Sequence, residues 1–373
     1  MILLKRTAAL LIIVAALPYL VVPVYRFPLP QKFRGATLWN PYADMSATWQ
    51  LANLHAHGRA WGGLTNGRQP DADVVRAYEQ RGYTVAGISD YQRIAALHGV
   101  PTIPIYEHGY NLAKRHQLAI GARRVDWFDV PLWQSVSQTQ YVVDRLKQTA
   151  DLVAIAHPLT GYKPDDLRKL TGYQLFEVVN GPFWADSLWD AALSSGHPVW
   201  AIANDDTHDV TDRRRMEVAW TMIDAPSANA ADVIAALRAG RMYAVSAPTG
   251  RAVPPEAALA RVDLNGTTLE VASEGSPATY AFIGQGGVVR KKVEWTRSAT
   301  YSLTPDDSYI RTEIRTRNQA IFLNPIVRYD GVSLEPRAPM PNVAGTWTQR
   351  VLILVACLAI VPVLWKRPRG PRM

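Results

Sequence analysis

The chain has 373 residues, 48% hydrophobic and 19% charged, enough apolar content for one large core or two moderate ones. Its formal net charge of +8 does not describe the middle of the molecule: residues 1–34 and 350–373 hold ten Lys or Arg and no acidic residue, leaving 30 basic against 32 acidic side chains between them. A nearly neutral middle offers no phosphate-backbone groove, so nucleic acid is not an expected partner, and the single cysteine, Cys357, excludes a disulfide framework or a thiolate zinc site within the chain.

The first element is a membrane-targeting segment: Lys5 and Arg6 precede an apolar run from Ala8 to Val24 that only Pro18 and Pro23 interrupt. Its length suits a signal anchor or the apolar core of a signal peptide, and the lack of a small-x-small cleavage site before Arg26 favours the uncleaved anchor.

From about Thr48 to Gly250, short apolar runs alternate with helix-like stretches, which suggests β/α units with mainly parallel strands. The expected strands are Gln50–Leu54, Thr84–Ser89, Thr102–Tyr106, Leu118–Gly121, Leu152–Ala156, Leu175–Val179 and Val199–Ala203. Helices are expected over Asp71–Arg81, Val136–Gln148 and Ala228–Ala239, the last stopping at Gly240.

After about Pro254 the texture changes to alternating strands with turn residues. Asn265-Gly266 signals a hairpin, and Tyr309–Arg315 alternates apolar and polar residues. This small β segment is expected to be structural, packing on the preceding unit or spacing it from the membrane, with carbohydrate binding as the alternative.

At the end, Val351–Leu364 is apolar between Trp347 and Trp365, with Lys366, Arg367, Arg369 and Arg372 behind it. As a helix the Trp-to-Trp span is about 27 Å, close to hydrocarbon thickness, and the trailing charges place the C-terminus in the cytoplasm. A buried C-terminal helix is the alternative. Arg26, Lys32 and Arg34 pull mildly the other way, but two crossings put everything between them on the extracytoplasmic side of a cell membrane. The expected division is 1–34 anchor and linker, 35–253 α/β unit, 254–340 small β domain, and 341–373 transmembrane helix and basic tail.

The chemistry-bearing residues follow this order. His55 and His57, at i and i+2, point the same way from a strand end and can converge on one ion. Alone such a dyad is weak. Here further ligand-type residues recur at nearly every expected strand: Asp90, Glu107, His116, His157, Glu177, Asp206 and His208. With cysteine excluded, any metal is held by histidine and carboxylate, which suits Zn, Mn or Fe.

Asn53-Leu54-His55-Ala56-His57, Gly87-Ile88-Ser89-Asp90, Tyr106-Glu107-His108-Gly109, His116-Gln117-Leu118, Ala156-His157-Pro158, Glu177-Val178-Val179-Asn180 and Asn204-Asp205-Asp206-Thr207-His208 together resemble the PHP superfamily, named for polymerase and histidinol phosphatase. The resemblance covers roughly residues 48–250. It implies a distorted (β/α)7 barrel with two or three divalent ions, which hydrolyses phosphoesters or, in some branches, carbamate or amide-like bonds of a small-molecule substrate. By the same resemblance His55, His57 and Asp206 would hold one ion, His116 and His157 a second, and Glu107 would bridge them.

Two positions depart from the family pattern. Gly62 and Gly63 fall where a ligand of a third ion is found, and Tyr91 stands where a histidine follows the second-strand aspartate. A dinuclear site is therefore expected, with His208 released to donate a proton or contact substrate. Two neighbouring ions acidify a shared water and clamp the oxygens that gain charge. Arg59 and Arg68 are the nearest expected phosphate contacts, and Asp90 is expected to orient a ligand or touch metal. Asp205 reads as a helix-cap or loop acceptor, Glu177 as a barrel ion-pair partner or ligand, and His98, His108 and His197 as loop or surface histidines. Trp61, Phe183, Trp184 and Trp189 read as packing or as a pocket mouth. A non-catalytic surface protein that binds metal or ligand is the competing class.

Overall fold

The computed structural model describes residues 2–97, 103–252 and 254–365. His98, Thr102 and the basic tail from Lys366 onward lie outside them.

The strands fall into two main sheets. In the first, Trp200–Asn204, Leu175–Asn180, Leu152–Ile155, Gln117–Ile120 and Ile105–His108 are neighbours in that order. The first three run parallel, as expected, but Gln117–Ile120 is antiparallel to both of its neighbours. The expected mainly parallel arrangement is thus corrected to a mixed α/β one. Residues 109–116 are all that join Ile105–His108 to Gln117–Ile120, too short a link for a parallel crossover, which needs roughly a dozen residues.

In the second sheet, Val85–Ala86 pairs parallel with Trp49–Asn53, which pairs antiparallel with Ala219–Asp224 and so on through Met242–Ser246, Ala320–Leu323, Tyr309–Arg315, Ala278–Gly284 and Val288–Thr296. The segment after Pro254 is therefore continuous with the α/β unit through the Met242–Ser246 and Ala320–Leu323 pairing. Its Asn265-Gly266 hairpin forms as expected, Ala257–Asn265 against Thr268–Gly275, with Gly266 at φ +60.

No closed hydrogen-bonded ring of strands is present among the described residues. The two sheets meet at two seams. At one, Ala56 bridges Thr207 and the Asp206 N–H donates to the His55 carbonyl at 3.0 Å; at the other, Tyr91 bridges Glu107. The second expected strand is regular only over Val85–Ala86, and beyond it the Gly87 and Ser89 N–H groups donate to the Asn53 and Ala56 carbonyls at 2.7 and 2.9 Å before the chain reaches this seam.

Strand alternation separates two cores. Ala52, Val85, Ile105, Leu118, Ala154, Leu175 and Ile202 pack together between the sheets, while Tyr106, Ala119, Val153, Phe176 and Ala201 face outward against the helices Val136–Leu146 and Asp186–Leu193. The helix Ala230–Ala239 is capped by Asn229 and ends at Gly240 in the left-handed region, as the sequence signals.

The terminal helices Ile2–Val21 and Val343–Trp365 are almost wholly exposed and pack on each other. Leu3–Val21 and Val343–Pro362 are each long and apolar enough to cross a membrane. Their domain-side ends are tied by Arg350, whose Nε donates to the Leu20 carbonyl at 2.8 Å, and by Gln349 donating to the Tyr19 carbonyl at 2.9 Å.

Candidate metal centre

The seams and strand ends bring the expected ligands together. His55 and His57 leave the Trp49–Asn53 strand with ring centroids 5.2 Å apart. Glu107 sits on the Ile105–His108 strand in the same inward row as Ile105. His116 opens the antiparallel strand that begins at Gln117, so strand reversal delivers it to the same rim. His157 and Asp206 occupy positive φ, +26° and +50°, where side chains other than glycine are strained; such strain persists where surrounding structure imposes it, often at functional sites.

Glu107 is the hub. Its Oε1 lies 2.6 Å from His116 Nδ1 and 2.8 Å from His157 Nε2, while its Oε2 lies 3.4 Å from His55 Nε2 and 3.2 Å from His57 Nε2. Asp206 Oδ1 stands 3.2 and 3.3 Å from the same two histidine nitrogens. His55, His57 and Glu107 are fully buried, whereas the His116, His157, Asp206 and His208 side chains are 11 to 25% exposed and form the open face.

Nε2 of His55, both ring nitrogens of His57, Oε2 of Glu107, Oδ1 of Asp206 and Nε2 of His208 are buried without a hydrogen-bond partner. Buried polar atoms are nearly always partnered, and so many orphans aimed at one another fit a cation-binding site. Among the described residues four overlapping ligand groups arise: His55, His57 and Glu107; His55, His157 and Asp206; His57, Asp206 and His208; and Glu107, His116 and His157, each with ligand atoms within 4.8 Å of one another. The donor set, imidazole with carboxylate, fits a divalent metal.

The protonation pattern tells the same story. Burial opposes charge on His55 and His57, yet Asp206 and Glu107, joined at His55 by Glu177, overcome it, raising His57 to about 9 and His55 well above its usual range. Burial likewise opposes ionisation of Glu107 and Asp206, but the facing histidines hold both well below the usual carboxylate range. Protons thus neutralise the cluster where a cation would.

A second layer fixes the ligands. Glu177 Oε1 accepts from His55 Nδ1 at 2.8 Å, which turns the His55 Nε2 lone pair inward, and its Oε2 accepts the His157 backbone N–H at 2.7 Å; Asn180 and Asn204 hold the carboxylate in turn. Glu177 is in none of the ligand groups. Asp90 is not either: it accepts the Gly58 N–H at 2.8 Å and pairs with Arg93, so it pins the loop after His57, and burial with the Asp71 charge raises it to about 6. Asp205 takes the Val218 and Ala219 N–H groups and the Tyr78 hydroxyl, the loop-acceptor role expected.

Tyr91 and His208 stack on the His57 ring, at 4.6 and 4.2 Å. His208 donates through Nδ1 to the Asp206 carbonyl at 3.1 Å, which leaves Nε2 as a bare acceptor; burial and the neighbouring His57 charge lower it to about 4. The ring lies with His57 and Asp206 in one ligand group, so it is placed either to contact substrate, as expected, or to serve as a ligand.

Arg59 is exposed, its guanidinium lying against Gly63 rather than in the ligand cluster. A cavity of about 330 Å³ opens over Asp206 and His208, and its cations are Arg68 and Arg215. Arg68 is paired with Asp209 at 3.0 Å; Arg215, which sequence reading missed, lies over the Phe183 ring. The only signal for it was the Arg213-Arg214-Arg215 run. His108 is corrected from a loop or surface position to a buried strand residue that donates to the Phe128 carbonyl at 2.9 Å, while His197 lies in a loop, as expected, but is only 5% exposed. Trp189 is fully buried packing, while Trp61 and Phe183 are exposed.

No family model matches the chain, and no curated protein does. Among solved structures, the fold is similar to a crystal structure from Bacteroides vulgatus described as a two-domain protein containing a predicted PHP-like metal-dependent phosphoesterase. The identity is 15%, the TM-score 0.43, and the similarity covers 77% of this chain and 95% of that one.

Proposed function

We propose that the protein is a membrane-anchored, divalent-metal-dependent hydrolase of the PHP type, acting on phosphoesters through a dinuclear centre on the extracytoplasmic side. The observation that carries this reading is the sharing of Glu107: one oxygen faces His55 and His57, the other faces His116 and His157. His55, His57 and Asp206 would hold one ion and His116 and His157 the other. The bridged seams support a distorted seven-stranded barrel whose ligands gather at one rim.

When bound, the ions, Zn, Mn or Fe, would supply a water-derived nucleophile near neutral pH and neutralise charge on the reacting group. The protein's own groups supply the rest. Glu177 keeps the His55 tautomer and ring direction. Tyr91 and His208 each stack against the His57 ring, and His208, its Nε2 buried without a hydrogen-bond partner, joins His57 and Asp206 in one ligand group. Arg215, which makes no ion pair among the described residues, and Arg68 offer positive charge to a phosphoryl group in the cavity, which favours phosphoesters over amide-like bonds.

Purified protein loaded with manganese or zinc, assayed on a panel of phosphomonoesters, phosphodiesters and amide-like esters, should show turnover that His57→Ala removes. Turnover that survives this change, or none with metal bound, would sink the reading.

A further inference from the structure

The loops leaving the expected ligands carry exposed large apolar side chains. Trp61 and Leu64 follow His57, and Tyr110 and Leu112 lie in the segment between Glu107 and His116. Trp127 and Trp133 extend the same surface: the Tyr110 hydroxyl donates to the Trp127 carbonyl at 3.0 Å, the Leu112 N–H donates to the Pro131 carbonyl at 2.9 Å, and the Trp61 and Trp127 rings meet edge to face at 5.8 Å. Trp133 is 73% exposed and Leu64 91%. Clustered exposure of this kind marks a surface that something apolar covers.

Continuity with the N-terminal helix says what covers it. The Tyr19 hydroxyl, two residues before the end of the Leu3–Val21 span, donates to the Trp133 carbonyl at 2.8 Å. Just beyond the helix, Tyr25 is held by Ser137 and Asp144 at 3.1 and 3.0 Å, which fixes the adjoining helix Val136–Leu146 at the same level. The end of a span is where Tyr and Trp sit in the headgroup layer, so a bilayer that surrounds Tyr19 also meets Trp133. From that patch a short path leads to the metal ligands: the Trp61 indole N–H donates to the Tyr91 carbonyl at 2.8 Å, and the Tyr91 ring stacks on His57.

We infer that this aromatic rim rests in the membrane interface and that the substrate is a phosphoester carried by an amphiphilic membrane lipid, which enters the site across the rim without leaving the bilayer. The inference rests on the hydrolase reading above. The apolar part of the lipid stays against Trp127, Trp133 and Leu112 while the phosphate reaches the histidine cluster and Arg215. In the reaction a water oxygen bonds to phosphorus, the bond from phosphorus to the leaving alcohol oxygen breaks, and the alcohol departs carrying a proton that originates from that water.

The test uses the full-length protein with manganese, reconstituted in phosphatidylcholine vesicles doped in turn with lipid phosphomonoesters and phosphodiesters, with p-nitrophenyl phosphate and bis-p-nitrophenyl phosphate as soluble esters. The double variant Trp127→Ser, Trp133→Ser changes neither ligands nor cavity. Its lipid turnover should fall about tenfold or more while soluble-ester turnover stays within about twofold, because remote contacts deliver only the lipid. Brominated phosphatidylcholine should quench more tryptophan fluorescence in the unaltered protein than in the variant. Cleavage of soluble but not lipid esters, or lipid turnover and quenching indifferent to the two tryptophans, would overturn the inference and leave the hydrolase reading standing. No turnover of either class with metal bound would overturn both.

Discussion

Glu107 faces four histidine nitrogens with two oxygens, so one carboxylate links both halves of the cluster. Replacing it by Gln removes the shared charge and should strip metal from both halves. Metal content by mass spectrometry should drop from about two ions per chain to below one, with circular dichroism unchanged. Glu177→Gln acts one layer out, through the His55 tautomer, and should weaken metal affinity by about 10–100-fold without abolishing it. A titration with a competing chelator separates these outcomes.

His197 tests a different residue-scale property, away from the metal. Burial holds its ring neutral and lowers it to about 4 from 6.5, so between those values the unfolded chain binds a proton that the folded one refuses. Stability should therefore fall as pH drops from 6.5 to 4, by about 3 kcal/mol in total from this group, and change no further below. Asp90 and Asp205, raised to about 6 by burial, tilt stability the opposite way. The readout is thus the difference: urea unfolding of His197→Gln should lack this part of the acid loss, and an identical pH profile would rule the assignment out. The ligand types were legible in the sequence because imidazole and carboxylate declare themselves. Glu177 was legible as an ion-pair partner or ligand, but the groups it joins were not, since its partners His55, His157, Asn180 and Asn204 come from separate segments, His55 being 122 residues away.

At the scale of elements, strand existence was legible and strand direction was not. Every expected strand appears within a few residues of its place, because apolar runs bounded by turn residues mark a buried strand whichever way it runs. Direction depends on connections, and the short 109–116 link forces the reversal at Gln117–Ile120. One trace of it was visible: His116 precedes its strand whereas the other expected ligands lie within or after theirs, which places it on the common rim only if that strand is antiparallel. The same link depends on Gly109, at φ +139°, where an added Cβ would stand 2.3 Å from His116 Cδ2. Gly109→Ala should displace the His116 ring and lower metal content toward one ion per chain while Glu177 and His55 keep their contact. Two tightly held ions in that variant would show that the glycine serves only the turn.

At the scale of the whole molecule, the two terminal helices run side by side with their domain-side ends tied together, so both far ends reach one side of any membrane they cross. Lys5 and Arg6 stand at that far end, and in the proposed reading the positive-inside tendency makes it the cytoplasmic one. Protease added to sealed vesicles should digest residues 35–340 only when their extracytoplasmic face is outward; digestion in the opposite orientation would invert the topology. Composition marked the two long apolar terminal helices at once, whereas the joining of the C-terminal β segment to the α/β unit was hidden, because pairing between strands distant in the chain leaves no local pattern. The cluster between the sheets remains the central claim, and an anomalous-difference map from crystals grown with manganese tests it most directly. Two peaks are predicted, one among His55, His57, Glu107 and Asp206 and one among Glu107, His116 and His157; a map with no peak at these residues would contradict it.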